Sequence, residues 1–409
     1  MADKYNKIGL KYPKSIIYWD LKLSVLRMEA VMFIRRELED LIKKRLFKGK
    51  AILIYGPRQS GKTTLVKQIM KDSGKTAMLL NGDEPDVREL LSGINSTRMK
   101  AIFGKNKFIV IDEAQMIPGI GLTLKLITDQ LKDTQVIATG SSSFELAGHT
   151  REPLTGRKYE YFLYPFSFSE MTDFQGLLEE RRMLKHRLVF GTYPEIVTSQ
   201  GEEKELLKLL AGSYLYKDIL MVEGLKKPAL LDKILRALAF QVGSEVSFSE
   251  LGQLLGANNK TIEKYIDILQ RASVVFQLPA FSRNVRNEIT KGRKIFFHDN
   301  GIRNAVIGNF SPVESRTDTG ALWENYLMSE RFKILSLKME SHVSYFWRTT
   351  QQQEIDYLEE RDGHISAWEF KWNPKAKIKV SKTFRDAYPD AVISSVTPEN
   401  YDEFLLSEK

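Results

Sequence analysis

Residues Gly56-Pro57-Arg58-Gln59-Ser60-Gly61-Lys62-Thr63 fit the spacing G-x-x-x-x-G-K-[ST] and stand between a short apolar run, Ala51 to Tyr55, and a segment of helical apolar spacing. The chemistry that such a stretch performs is the gripping of a polyphosphate. Its glycines let backbone N–H groups close around a β-phosphate, and the following helix presents its positive N-terminal end. Lys62 neutralises the β and γ oxygens, and the Thr63 hydroxyl suits a Mg²⁺ ligand. Gly56 to Thr64 are therefore read as the nucleotide-binding stretch, with ATP and Mg²⁺ as the expected ligands.

A second run, Phe108-Ile109-Val110-Ile111-Asp112-Glu113, is a buried-strand pattern ending in two carboxylates. Asp112 is placed to hold the metal's water shell and Glu113 to polarise an attacking water, which together mean hydrolysis and not binding alone. Thr139 closes the apolar run Val136-Ile137-Ala138 and is read either as a γ-phosphate sensor or as part of a polar turn, Thr139-Gly140-Ser141. Arg157, in Thr155-Gly156-Arg157, has two readings as well: a γ-phosphate contact in its own or a neighbouring subunit, or an ordinary surface arginine.

Far along the chain, Asp356, Glu369 and Lys371 form D-x₁₂-E-x-K, with Glu369 and Lys371 on one face of a strand. Two carboxylates can hold Mg²⁺ against a scissile phosphate while a lysine steadies the hydroxide or the developing charge on phosphorus. The plainer reading is an exposed strand face with alternating charges.

These residues need elements to position them. Apolar runs at Ala51-Tyr55, Ala77-Leu80, Phe108-Ile111 and Val136-Ala138, separated by helix-length segments, have the rhythm of a parallel α/β sheet filling about residues 28–175. Residues 1–27 show no period and are read as an arm, and 176–227 as a helical connector. Leu251, Leu254 and Leu255, a turn at Gly256-Ala257-Asn258, then Ile262, Tyr265, Ile266 and Leu269 read as a helix-turn-helix, with Val274 to Leu278 starting a β wing, over residues 228–285. Residues 286–409 follow as an α+β unit with a helix near 321–332 and strands near 343–348, 354–358 and 365–370. Trp323, Tyr326 and Leu327 are read as core, Trp347 and Trp368 as packed between sheet and helix, and His298-Asp299 as a hydrogen-bonded turn.

The runs GPRQSGKTTL, LLNGDEPDVRELL, FIVIDEAQMIP and VIATGSSSFEL resemble the AAA-type P-loop ATPases of bacteria and archaea whose C-terminal half is a conserved domain of unknown function. The resemblance continues through YPFSFSEM, GTYPEIV, FFHDNGIRNAV, GALWENYL and YFWRTTQQQEIDYL. It implies an AAA-like parallel sheet with helices on both faces, a winged helix-turn-helix, and a C-terminal α+β fold similar to the PD-(D/E)XK nucleases. In that resemblance Glu324 matches the extra acidic residue of the first nuclease helix. The sequence departs from the pattern where Ile355, not proline, precedes Asp356.

Composition narrows the partners. The 409 residues carry a formal net charge of +9, which favours an anionic partner. Lys260 and Lys264 on the second helix of the helix-turn-helix, with Arg271, Arg283 and Arg286, suit phosphate contacts, and Lys371, Lys375, Lys377, Lys379, Lys382 and Arg385 border the carboxylates. DNA is the expected partner. The alternative is a nucleotide switch that recognises a protein, with the nuclease-like part silent. Glu263 and Asp267 on the same helix favour an ordinary solvated face. Cysteine is absent, so Cys-ligated zinc and iron–sulfur sites are excluded, and the five histidines show no pair at helical metal-ligand spacing, which argues against a zinc enzyme. No apolar run reaches the roughly 18 residues that span a bilayer, so the expectation is a cytoplasmic protein without a membrane partner. AAA-like relatives often form rings, which leaves a homo-oligomer open.

Overall fold

A computed structural model describes residues 33–140, 154–214, 227–282, 292–338, 343–349, 351–376 and 380–406. The N-terminal arm, Arg283, Arg286, Lys377 and Lys379 lie outside the described residues. Residues from Arg36 onward form one compact unit that carries every element below.

Strands β1 (Ala51–Tyr55), β2 (Ala77–Asn81), β3 (Phe108–Asp112), β4 (Gln135–Gly140) and β5 (Lys158–Phe162) form a sheet in the order β2-β3-β4-β1-β5. Every pairing is parallel. Continuous apolar runs suit this arrangement because successive residues of a central strand face opposite cores. Leu53 and Ile109 pack on one face beneath Leu124 of helix α2 (Ile120–Gln130). Ile52 and Val110 pack on the other with Leu65 and Ile69 of helix α1 (Lys62–Asp72). This is the α/β fold of a P-loop NTPase. At the edge, β2 is half exposed and not the buried strand that its apolar run suggested. The order also sets β4 between the strands that carry the phosphate loop and the carboxylates.

Beyond the sheet come helix α3 (Phe168–Gln175) and then α4 (Pro228–Phe240), α5 (Phe248–Leu255) and α6 (Asn259–Arg271). Asn258 caps α6 by accepting from Thr261 N at 2.8 Å, and the anticipated face of Ile262, Tyr265, Ile266 and Leu269 is buried. Strands β6 (Glu245–Val246), β7 (Val275–Pro279) and β8 (Arg293–Phe297) make an antiparallel sheet in the order β6-β8-β7. Thus β8, assigned from sequence to the last segment, belongs with the helices before it. Helix α7 (Asn300–Ile307) follows, then the long helix α8 (Thr319–Lys338).

The final sheet contains β9 (Val343–Arg348), β10 (Glu354–Arg361), β11 (His364–Phe370) and β12 (Val392–Val396), ordered β12-β11-β10-β9. Only β11 and β12 pair in parallel. Trp323, Tyr326 and Leu327 of α8 are core, packed with Tyr357, Phe370 and Tyr401.

The His298-Asp299 pair is structural. Asp299 Oδ1 accepts from Ile302 N at 3.0 Å and caps α7, while Oδ2 accepts from Thr192 N at 2.8 Å. The His298 ring sits among Tyr164, Phe276 and Phe332 at centroid distances of 5.1, 4.9 and 5.2 Å. Burial, reinforced by the Lys333 ammonium, pushes its imidazole down to about 3. The unfolded chain therefore takes up a proton below pH about 6.5 that the folded chain refuses, so stability falls as the pH drops from there toward 3. We expect this residue to contribute a loss of about 2 kcal/mol between pH 6.5 and 5. His298→Phe should flatten that part of the curve, as read from urea midpoints at the two pH values.

Candidate functional site

The phosphate loop leaves β1 at Gly56, where an added Cβ would run into the Leu163 carbonyl, so only glycine lets the loop pass. Gly61, at φ 93°, turns the chain through the left-handed region into α1. Lys62 is the first residue of α1, and its Nζ donates to Gly56 O at 2.9 Å and Pro57 O at 2.8 Å. The ammonium is thus held over the loop. Ser60 is fully buried, and its hydroxyl is without a protein partner among the described residues. An orphaned hydroxyl inside a ring of amides and a lysine suits a phosphate oxygen.

Asp112, at the end of β3, accepts from Thr63 Oγ1 at 2.6 Å through Oδ2 and from Thr139 Oγ1 through Oδ1. Glu113 N donates to Thr139 Oγ1 at 3.3 Å. Four residues singled out from sequence, Thr63, Asp112, Glu113 and Thr139, therefore meet where β1, β3 and β4 end side by side. Thr63 and Asp112 fit a Mg²⁺ ion as hard oxygen donors. Glu113 adopts φ 48°, a conformation unfavourable for a residue with a side chain, and accepts from Gln115 Nε2 at 2.5 Å.

Arg157 stands elsewhere. Its carbonyl accepts from Ala51 N at 2.9 Å, at the start of β1, and its guanidinium pairs with Asp129 at 2.7 Å. Five residues of strand, about 17 Å, separate it from the loop at the other end of β1. This placement corrects the contact with its own subunit's phosphate and leaves two readings, a contact with a neighbouring copy and an ordinary surface arginine paired with Asp129.

Sequence reading missed Arg36. Buried, it donates through Nη1 to Ser60 O at 3.0 Å, through Nη2 to Tyr164 O, and through Nε to Glu170 Oε1 at 2.9 Å. Glu170 belongs to the capping box that starts α3. The next backbone amide, Phe168 N, donates to Glu330 Oε2 of α8 at 2.6 Å. Lys333, one turn along, bonds Glu330 Oε1 at 2.7 Å and Phe166 O at 2.9 Å. A chain of buried polar contacts thereby runs from the phosphate loop to α8.

In the last sheet, Asp356, Glu369 and Lys371 do converge. Lys371 Nζ lies 2.6 Å from Glu369 Oε2 and 3.5 Å from Asp356 Oδ2, and Phe370 N donates to Asp356 Oδ2 at 2.8 Å. Glu324, on α8, instead accepts from Lys294 of β8 at 2.9 Å, and Lys294 also pairs with Glu354. Burial pushes the Glu324 carboxyl up to about 7, Lys294 opposing and Asp356 adding to the rise. Burial raises Glu369 too, helped by Asp356 and opposed by Lys371. Among the described residues no group of three or more carboxylate or imidazole side chains is placed to hold a metal. A divalent ion does not fit here, because Asp356, Glu369, Glu324 and Glu354 already face lysines.

Comparison with known proteins gives three family matches along the chain. Residues 48–172 match the profile described as AAA domain, 181–313 match a domain of unknown function (DUF8612), and 319–402 match another (DUF4143). An uncharacterized protein of Mycobacterium tuberculosis is 26% identical over 374 residues, covering 89% of this chain and 79% of the relative. An uncharacterized protein of Methanocaldococcus jannaschii is 24% identical over 378 residues, covering 87% and 81%. Among solved structures, the Walker-type ATPase of Pyrococcus abyssi is 15% identical with a TM-score of 0.46, covering 67% of this chain and 96% of that one. The match to the AAA domain at 48–172, an ATPase-like domain, spans the phosphate loop, Asp112, Glu113 and Thr139. No helix among the described residues is long and apolar enough to cross a membrane.

Proposed function

From that ATPase-like domain we propose that the chain is a Mg²⁺-dependent ATPase whose nucleotide state controls a C-terminal half that binds DNA. One observation carries the reading. A single carboxylate, Asp112, joins the phosphate-loop Thr63 to Thr139, with Glu113 next in the chain.

Backbone N–H groups of the Gly56 to Thr64 stretch, Arg58 and Gln59 among them and Pro57 excepted, enclose the phosphates, and Lys62 exchanges the carbonyls of Gly56 and Pro57 for phosphate oxygens. Thr63 and Asp112 would hold Mg²⁺, which when bound withdraws charge from the phosphates. Glu113 takes the proton of the attacking water, and Thr139 orients the end of β4 toward the γ-phosphate. Arg36 ties the Ser60 carbonyl to Glu170, so a movement of the loop is passed through α3 to Glu330 and Lys333 of α8. Such buried contacts have discrete arrangements, which is what a nucleotide-controlled rearrangement requires.

Helices α4 to α6 with the β6-β8-β7 sheet are read as a winged helix, and the last sheet with α8 as a nuclease-like fold. Support for DNA comes from the start of α6, where Lys260 and Lys264 are exposed. A cavity of about 650 Å³ there is lined by Lys227, Lys233, Asn258, Thr261 and Lys264. These groups suit a phosphodiester backbone. We expect affinity for duplex DNA to fall steeply between 50 and 200 mM salt. Replacing both Lys260 and Lys264 by alanine should shrink the log–log salt slope by about 2. Absence of binding at low salt would refute the DNA part and favour a protein partner.

A further inference from the structure

We infer that the C-terminal carboxylate cluster is a charge-paired junction and not a metal site: Lys294 is the resident cation of Glu324 and Glu354, Lys371 that of Asp356 and Glu369, and the cluster joins β8, α8 and β10 instead of cutting DNA. This inference does not rest on the ATPase reading, and it settles against cleavage within the nuclease-like one.

The geometry is specific. Lys294 enters from β8, whose backbone is fixed by pairing with Glu245 of β6 and Leu278 of β7. Its side chain is 2% exposed and ends between Glu324 of α8, at 2.9 Å, and Glu354 of β10. The ring of Phe346 on β9 lies 5.5 Å from the ammonium. Four elements, β8, α8, β10 and β9, therefore meet at one charge.

A buried ammonium without partners is strongly disfavoured. Lys294 finds its partners in two half-buried carboxylates, Glu324 and Glu354, the second of which also lies 3.6 Å from Arg348. The neighbouring carboxylates are engaged too: Asp356 with Phe370 N and Lys371, Glu369 with Lys371. Burial alone would lower the Lys294 ammonium, yet Glu324, Glu354 and Asp356 more than reverse it and hold the charge in place. Magnesium-assisted hydrolysis needs carboxylates that point at the ion and positions left for water and substrate. In this cluster lysines face those carboxylates, and the most buried of them comes from a separate sheet.

The test is a Mn²⁺ titration of the full-length chain without nucleotide, followed by calorimetry. Wild type and Asp356→Asn should take up the same amount of Mn²⁺. Lys294→Ala should bind one further equivalent on the freed Glu324 and Glu354, and adding Glu324→Gln to that variant should remove it. An equivalent bound by wild type and missing from Asp356→Asn overturns the inference, as does a folded Lys294→Ala that gains none. If Lys294→Ala fails to fold, the comparison of wild type with Asp356→Asn still decides. Lys294→Arg, which keeps the charge, must then match wild type. Mn²⁺-dependent nicking of supercoiled plasmid by wild type, lost in Asp356→Asn, would also contradict it. None of these readouts involves ATP, so their failure is separate from failure of the ATPase reading.

Discussion

Lys62→Ala is expected to lower ATP turnover by about 10³-fold, or about 4 kcal/mol of barrier, measured as phosphate release at saturating Mg²⁺-ATP. The lysine is held over the loop by the carbonyls of Gly56 and Pro57. Charge that builds on the γ-phosphate oxygens as the bond breaks has to be met there, and alanine offers nothing in its place. The fold should survive, because alanine favours the first turn of α1 and the loss is two hydrogen bonds to loop carbonyls, about 1 kcal/mol each. An unchanged melting profile alongside lost turnover separates a chemical role from a structural one. Full turnover in the variant would refute the assignment of the loop.

Glu113→Gln should act differently, lowering kcat by about 10²- to 10⁴-fold while leaving ATP uptake near its wild-type level. Glutamine keeps the size of the side chain and loses its basicity. The site's other groups remain: Thr63 and Thr139 still bond Asp112, and the loop amides are untouched. Equilibrium binding of a fluorescent ATP analogue, set against single-turnover hydrolysis, separates the two effects. Loss of binding equal to the loss of rate would mean that Glu113 holds the nucleotide and does not activate water.

Much of this site was readable because its signals are local. A glycine-rich stretch between an apolar strand and a helix, and two carboxylates closing another apolar strand, are set by a few adjacent residues. The buried face of α6 was legible for the same reason, since Ile262, Tyr265, Ile266 and Leu269 follow one helical period. Edge strands gave weaker signals: β5, Lys-Tyr-Glu-Tyr-Phe, alternates polar and aromatic residues, and β12 is buried only at Val396. Arg157 was open between a γ-phosphate contact in its own or a neighbouring subunit and an ordinary surface arginine, because only the direction of β5 puts it at the end of the sheet away from the loop. Arg36 and Lys294 had no sequence signal. Their partners lie as far as 134 residues away for Arg36 and 30 for the Lys294–Glu324 pair, and charged side chains are ordinarily read as surface.

The buried polar path from Ser60 through Arg36 and Glu170 to Glu330 gives the phosphate loop a physical connection to α8. That helix packs beneath the last sheet and carries Glu324 to Lys294 of β8. Under the proposed function, a change at the nucleotide site would travel this way to the elements read as DNA-binding, which is why turnover is the quantity on which the whole account depends. The most direct measurement is phosphate release by purified wild-type chain incubated with ATP, with and without Mg²⁺. Repeated turnovers that stop when Mg²⁺ is chelated are the predicted result. A chain that neither binds ATP nor releases phosphate in Mg²⁺ buffer would contradict it.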